Sequence, residues 1–380
     1  RMFSSAEGND VLHPIFTGGL AARDFDDHRH HRRIMQAAFR HSAMLGYAES
    51  LVARTEPMAE GVPVGRPFPF GTWVKEALLQ VGGRVLMGLE VGDAELSRMN
   101  AAFIEEVAGC VGLVRRPLPF TKMRRGLKAK AVFEAKLRAL IPERRRQGGQ
   151  DFFSQMCQAT DEDGAGWTEK EIFDHFNFLM LAGHDTTASA LTTLVWGVAA
   201  GAPDWRERLR AEVDETRPRL MAAFEAGDAS GMHAALSEMR LTAQAFEEAM
   251  RYRPPVPFVS RRALRPFEWD GVAIPRGSFL SVPMAILMMD AQHFPAPERF
   301  DPGRFAPESA ERRAAPSPFV AFGGGAHKCI GMHFSYAQVR IVVSALLARY
   351  RIEVLEPNPD WTLVPITRPR DGLPVVLRPR

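Results

Sequence analysis

Between Phe322 and Gly331 the chain reads Phe-Gly-Gly-Gly-Ala-His-Lys-Cys-Ile-Gly, placing Cys329 just ahead of a long apolar-periodic segment. Glycine has no Cβ, so a run of three lets backbone lie against a large flat surface. A thiolate at a helix N-terminus is favoured by free N–H groups and by the positive end of the helix dipole. His327 and Lys328 add donors or positive charge beside it, and Phe322 adds a flat apolar face. A phosphate loop would need Ser or Thr after its lysine, but Cys329 follows Lys328. Cysteine proteases carry other local signatures. A structural zinc site needs more soft ligands, and Cys110 and Cys157 stand far away in sequence. The reading that fits best is a thiolate facing a flat, acidic, apolar partner, as when cysteine holds a haem iron.

Three other clusters carry potential chemistry. Ala182-Gly183-His184-Asp185-Thr186-Thr187 lies inside a helical pattern over 169–199 that opens on a Thr168-x-x-Glu171 capping box. Such a helix is about 45 Å long and crosses a whole domain. Gly183 weakens it, and Thr186 and Thr187 can bond back to carbonyls and open the ladder. On residues alone an ordinary buried helix with a tolerated glycine fits equally well. Glu248 and Arg251, three apart, share a helix face, and most such pairs are solvated. Here the helix stops at Pro254-Pro255. Asp27-His-Arg-His-His-Arg-Arg33 suits a metal site, a solvated face or a polyanion patch. His28 and Arg32, one helical turn apart, can point at a single anion.

Taken together, F-x-x-G-x-H-x-C-x-G and the three further motifs, in this order, resemble the cytochrome P450s, the haem-thiolate monooxygenases. The resemblance covers essentially the whole chain. His327 stands where many members carry Arg and others, particularly bacterial ones, carry His. It implies the P450 fold, mainly α with a minor β part, as a single haem domain over residues 1–380. Cys329 would be the metal ligand, and Phe322, Gly325, His327, Gly331, Ala182 and Gly183 would surround haem b, iron protoporphyrin IX. His28, Arg32, Arg261 and His327 would take the propionates, with Phe39 nearby. Asp185 and Thr186 would relay protons to the dioxygen site. Glu248, Arg251 and Arg304 would form a structural trio holding the cysteine loop.

The implied activity inserts one oxygen atom of dioxygen into an apolar small molecule. Electrons would come from NAD(P)H through a ferredoxin, flavodoxin or reductase. Phe258, Val259, Ala182 and the stretch 10–24 would face the substrate, and Arg29, Arg33 and Lys328 an acidic donor. Other readings are a peroxide-using haem enzyme, against which Asp185-Thr186 argues, and a haem sensor or carrier without turnover.

Composition agrees with an ordinary globular chain: 380 residues, 46% hydrophobic and 24% charged, net +3. Three scattered cysteines exclude a disulfide framework and indicate a reducing compartment. Arg115-Arg116, Arg124-Arg125 and Arg144-Arg145-Arg146 lack a nucleic-acid motif, so nucleic acid is not an expected partner. Helices are predicted over 35–56, 72–89, 93–114, 127–147, 169–199, 204–217, 243–251 and 332–350. The stretch 227–237 reads as a loop, Asp270-Gly271 as a hairpin turn, and 279–282, 363–366 and 373–377 as short strands. No apolar run long enough for a bilayer is expected, and a cytoplasmic monomer is. Relatives normally carry strands and helices before the point matched by Phe3-Ser4-Ser5, so an N-terminally truncated chain is expected, which would leave an apolar patch and an open sheet edge.

Overall fold

The computed structural model describes residues 1–88, 93–161, 163–314 and 317–380. Thirteen α-helices are seen among them. In order they are α1 (Phe25–Gln36), α2 (His41–Glu60), α3 (Phe70–Met87), α4 (Asp93–Cys110), α5 (Lys122–Gln147), α6 (Phe152–Gln158) and α7 (Glu169–Trp196). There follow α8 (Pro203–Glu225), α9 (Ala229–Glu238), α10 (Arg240–Tyr252), the short α11 (Met284–Leu287) and α12 (Ala310–Arg313), and α13 (Met332–Arg349). The chain is 60% helical and 10% strand, so the mainly α reading stands.

Strands are short: β1 (Phe3–Ser4), β2 (Phe68–Pro69), β3 (Val259–Ala263), β4 (Phe267–Trp269), β5 (Val272–Ile274), β6 (Phe279–Val282), β7 (Tyr350–Val354), β8 (Trp361–Thr362), β9 (Arg368–Pro369) and β10 (Pro374–Pro379). They form antiparallel sheets in the orders β1-β3-β6 and β2-β10-β7, with hairpins β4-β5 and β8-β9. Asp270 and Gly271, both with positive φ, make the expected turn between β4 and β5. β6 is an outer strand, with Phe279 and Val282 exposed.

Several expectations are corrected. The pattern over 35–56 is two helices: α1 starts at Phe25, a 3-10 turn follows at Ala37–Phe39, and extended Arg40 precedes α2. Apolar periodicity continues across so short a break and cannot register it. The stretch 227–237 is no loop, because the Asp228 side chain accepts from the Gly231 N–H at 2.9 Å and caps α9. The stretch 363–366 is not a strand but the link between β8 and β9, where Pro365 offers no N–H to a ladder. Residue 89, the predicted end of the 72–89 helix, lies outside the described residues. Gly325–Arg349 is, contrary to expectation, long and apolar enough to cross a bilayer. Half of it is buried, with Val339, Val342 and Leu346 in the core.

The capping box of α7 forms as read: Thr168 Oγ1 accepts from Glu171 N–H at 3.3 Å, and Glu171 returns an acceptor to Thr168 N–H at 2.9 Å. From there α7 runs unbroken past Gly183 for 28 residues, about 42 Å. It ends in a π turn, Gly197–Gly201, where a Cβ on Gly197 would meet the Phe300 ring at 2.3 Å. Two apolar cores share this helix. Ile172, Phe173, Phe176 and Met180 join α1–α6 and α9 in one. Ala188, Leu191, Leu194 and Trp196 join α3, α8, α10, α13 and the β2-β10-β7 sheet in the other. Residues 182–186 belong to neither core.

Glu248 and Arg251 lie on α10 with side chains wholly buried, not solvated. Arg251 makes two bonds to the carboxylate, at 2.6 and 2.8 Å, and others to the Met288 and Arg299 carbonyls at 3.0 and 3.2 Å. Asp301 N–H adds a bond to Glu248 at 2.7 Å, and Arg304 Nε stands 3.7 Å from the same oxygen. Burial pushes the Glu248 carboxyl up, against the pull of both guanidiniums and that amide. Removing one partner strands a buried charge. Arg251→Met should therefore cost about 3–5 kcal/mol in urea unfolding. Arg378→Ala, which breaks the exposed pair with Glu353, should stay within about 1 kcal/mol.

Candidate active site

The cysteine loop closes on itself. Gly323 N–H donates to the Val320 carbonyl and Cys329 N–H to the Phe322 carbonyl, each at 2.8 Å, around a single 3-10 turn at Gly325–His327. Gly323 and Gly325 have φ of +69° and +61°, which side chains with a Cβ rarely adopt. A Cβ added to Gly324 or Gly325 would meet nothing within 4 Å. Cys329 is exposed at this open face, whereas Cys110 and Cys157 are buried. Burial of the surroundings still raises the Cys329 thiol, while the Gly331 N–H, Arg32 and Lys328 draw it down. The other two thiols are pushed to about 12 by burial.

Two distant segments, α1 and β3, bring arginines to this loop, and α1 brings a histidine as well. His28, from α1, lies with its ring centroid 3.9 Å from that of His327. Burial lowers both rings, and Arg32 and Arg261 lower them further; His327 falls to about 4. Arg32, also on α1, has Cys329 as the ionisable group acting on it and no carboxylate partner among the described residues. Asp24 is the nearby acid, already bonded by Ser4 Oγ at 2.5 Å and Ser5 N–H at 2.7 Å. Phe39 approaches Gly331 and packs on Phe152. His28, Arg32, Arg261 and His327, which the resemblance put together, lie near one another beside the cysteine loop. Among the described residues no cluster has the makings of a metal site.

On α7, Ala182 is exposed and a Cβ on Gly183 would meet open space, although most of the helix is buried. Thr186 Oγ1 donates to the Ala182 carbonyl at 2.5 Å, yet the helix does not open there. Asp185 pairs with Lys75 Nζ of α3 at 2.5 Å and has His184 Nε2 at 3.4 Å. His184 is buried and its ring is held low by that burial. The described contacts do not join Asp185 or Thr186 directly to Cys329. Phe258, just before β3, is exposed, and Val259, its first residue, is half-buried.

Sequence reading missed Lys75, which stands 110 positions before Asp185 and gives no local signal. It also missed a buried pair, His31 Nδ1 and His175 Nε2, 2.9 Å apart and stacked on Trp167. Burial holds His31 near 4 and His175 well below its ordinary value. Glu106 escaped notice too: burial raises it to about 7, and Asn177 of α7 donates to it at 2.5 Å.

These residues fit haem. Exposed Cys329 stands on an open glycine face, and two guanidiniums and two imidazoles gather beside it, outnumbering the nearby carboxylates Asp24 and Asp27. Comparison with known proteins agrees. The Cytochrome P450 family model matches residues 3–370. Putative cytochrome P450 136 of Mycobacterium tuberculosis is 33% identical over 97% of this chain and 74% of its own length. Cyclooctat-9-en-7-ol 5-monooxygenase of Streptomyces melanosporofaciens is 26% identical, covering 100% of this chain and 82% of that protein. Among solved structures, a retinoic acid bound cyanobacterial CYP120A1 superposes with a TM-score of 0.86 over 100% of this chain and 85% of that one. At 22% identity it speaks for the fold alone.

The lowered histidines fix a pH response. A ring held below its ordinary 6.5 lets the unfolded chain take up protons first as pH falls. Stability present above about 6.5 is therefore lost as pH drops toward about 4, where His31 and His327 titrate. The urea midpoint of the cofactor-free chain should fall across this window, and less steeply in His327→Gln. An identical slope in that variant would show that the ring is not held neutral.

Proposed function

The chain belongs to the cytochrome P450 family of haem monooxygenases, and from that premise we propose that it oxidises an apolar small molecule through a haem held by Cys329. The single observation that carries the proposal is the exposed Cys329, set on an open glycine face with Arg32 acting on its thiol. The haem supplies dioxygen activation, and a thiolate ligand favours O–O cleavage.

The chain's own residues do the positioning. Arg32 and Arg261 would bind the two propionates by charge-assisted bonds, with His28 and His327 donating ring N–H groups. Gly325 and Gly183, where a Cβ would meet nothing within 4 Å, would leave room for a flat ring, with Phe322, Gly331 and Ala182 beside it. Glu248, Arg251 and Arg304 would hold the loop that presents Cys329. Thr186 would release its bond to the Ala182 carbonyl and order water with its hydroxyl. Asp185 would move protons to that water, with Lys75 holding the carboxylate in place between transfers. We propose one haem-binding unit with a ferredoxin, flavodoxin or reductase as donor, steered by exposed Arg29, Arg33 and Lys328. A cytoplasmic monomer is part of the same proposal.

Cys329→Ala should abolish the long-wavelength carbon monoxide band of the reduced protein, while Cys110→Ala and Cys157→Ala retain it. An unchanged band in Cys329→Ala would assign the ligand elsewhere. Thr186→Ala should bind haem normally yet yield less product per NADPH, the difference appearing as hydrogen peroxide. Asp185→Asn should slow turnover about 10²-fold or more. Equal coupling in wild type and Thr186→Ala would remove Thr186 from proton delivery.

A further inference from the structure

Glu106, on α4, is wholly buried, and nothing proposed for the chemistry at Cys329 uses it. α4 reaches α7 through side chains at two levels. The Phe103 ring meets the His184 ring edge-on at 5.5 Å, and about one turn further along Glu106 meets Asn177. There Asn177 Nδ2 donates to Glu106 Oε1 at 2.5 Å. The remaining oxygens, Glu106 Oε2 and Asn177 Oδ1, are both buried, and neither has a hydrogen-bond partner among the described residues. Two orphan acceptors on one bonded pair of side chains are costly. A proton on the carboxyl answers both, since Oε2 then donates and the neighbouring amide oxygen can accept.

The surroundings favour that proton. Burial raises the carboxyl to about 7, against the pull of the Asn177 amide and of Lys130, and Glu134 adds to the rise. Lys130, on α5, is the cation acting on it. Its ammonium is held instead by the Ile15 carbonyl and the Thr17 hydroxyl, and no ion pair joins it to Glu106 among the described residues. Glu134, also on α5, is paired with Arg138 at 2.7 Å. On α4 itself the Cys110 thiol is pushed up by burial and then by Glu106, so it is neutral. On α7 burial lowers the His184 ring.

We propose that Glu106 and Asn177 form a neutral acid–amide clasp fastening α4 to α7, and that loss of the Glu106 proton to solvent opens it, so the seating of α4 is pH-sensitive. Once ionised, the carboxylate has no donor for Oε2 and lies where an unpaired charge is strongly disfavoured. α4 must then shift until the charge reaches water or Lys130. α5 moves with it, because a Cβ on Gly109 of α4 would lie 3.1 Å from the Gly126 Cα of α5. The same shift draws Phe103 off His184, beside Asp185. The clasp does not depend on the chemistry proposed for Cys329.

The native state keeps a proton that an unfolded glutamate, near 4.5, gives up first. Stability from this group is therefore present below about pH 4.5 and lost as pH rises toward about 7. Glu106→Gln supplies a donor and an acceptor with no proton to lose. In urea unfolding of the full chain, its folding constant should gain on wild type about tenfold per pH unit across that window, then level off. Infrared difference spectra near the acid end of the window should show a neutral carboxyl stretch in wild type that Glu106→Gln lacks. That stretch should fade in wild type as pH passes about 7, while any signal from buried Glu248 is common to both proteins and cancels. Hydrogen exchange of α4 amides, corrected for its intrinsic pH dependence, should quicken in wild type over the same range and stay level in Glu106→Gln. If that variant does not fold, Asn177→Asp, whose second carboxyl shares the proton, should move the exchange step to higher pH. Identical carboxyl spectra in wild type and Glu106→Gln would mean an ionised Glu106 met by Lys130 or water, and would overturn the proposal. So would wild-type α4 exchange that does not change with pH.

Discussion

A carboxylate and a guanidinium removed from water stay ionised only when neighbours replace most of their lost hydration. Glu248 and Arg251 meet that demand with each other, two carbonyls and an amide drawn from the 288–301 stretch. The stretch must therefore fold onto α10 in one arrangement. The same helix then reaches the cysteine loop from both sides. Phe246 packs edge-on against Phe322 and Tyr336, and Glu247 accepts from the Tyr336 hydroxyl at 2.5 Å. Phe322 opens the loop and Tyr336 lies in the helix that follows it, so α10 constrains the frame in which Cys329 sits.

Around that frame the electrostatics are deliberately incomplete in the sense that cations outnumber anions. Burial first, and then the Arg32 and Arg261 guanidiniums, lower the His28 and His327 rings. Two carboxylates arriving there would reverse this pressure, because opposite charge favours the protonated ring. α1 meets two demands at once. Its buried side supplies His28 and His31, while Arg29 and Arg33 face solvent.

α7 joins the halves of the molecule. Its two ends are locked in separate apolar cores, and the segment between them is free of either. A helix held at both ends can carry a glycine and an unpacked alanine in its middle without fraying, which is what an interior working face requires. Lys75 reaches that face from α3 and sets the charge of Asp185's surroundings.

Local information determined much of this protein. The glycine run with Cys329, the capping box of α7, the Asp270-Gly271 turn and the His28/Arg32 spacing are read within a few residues, because backbone freedom, capping and helical pitch act at that range. The four long motifs together carried the family, and with it the fold. Short-range breaks were less legible: the kink at Arg40 and the Asp228 cap of α9 hang on single residues within otherwise continuous patterns. What only tertiary structure decided lies between residues far apart in the chain. The pairing of Lys75 with Asp185, the burial of His175 against His31, and the exposure of Leu113 and Phe120 are of that kind. Burial is a property of surroundings assembled from the whole chain, and no residue's own type or near neighbours can state which side of it faces water.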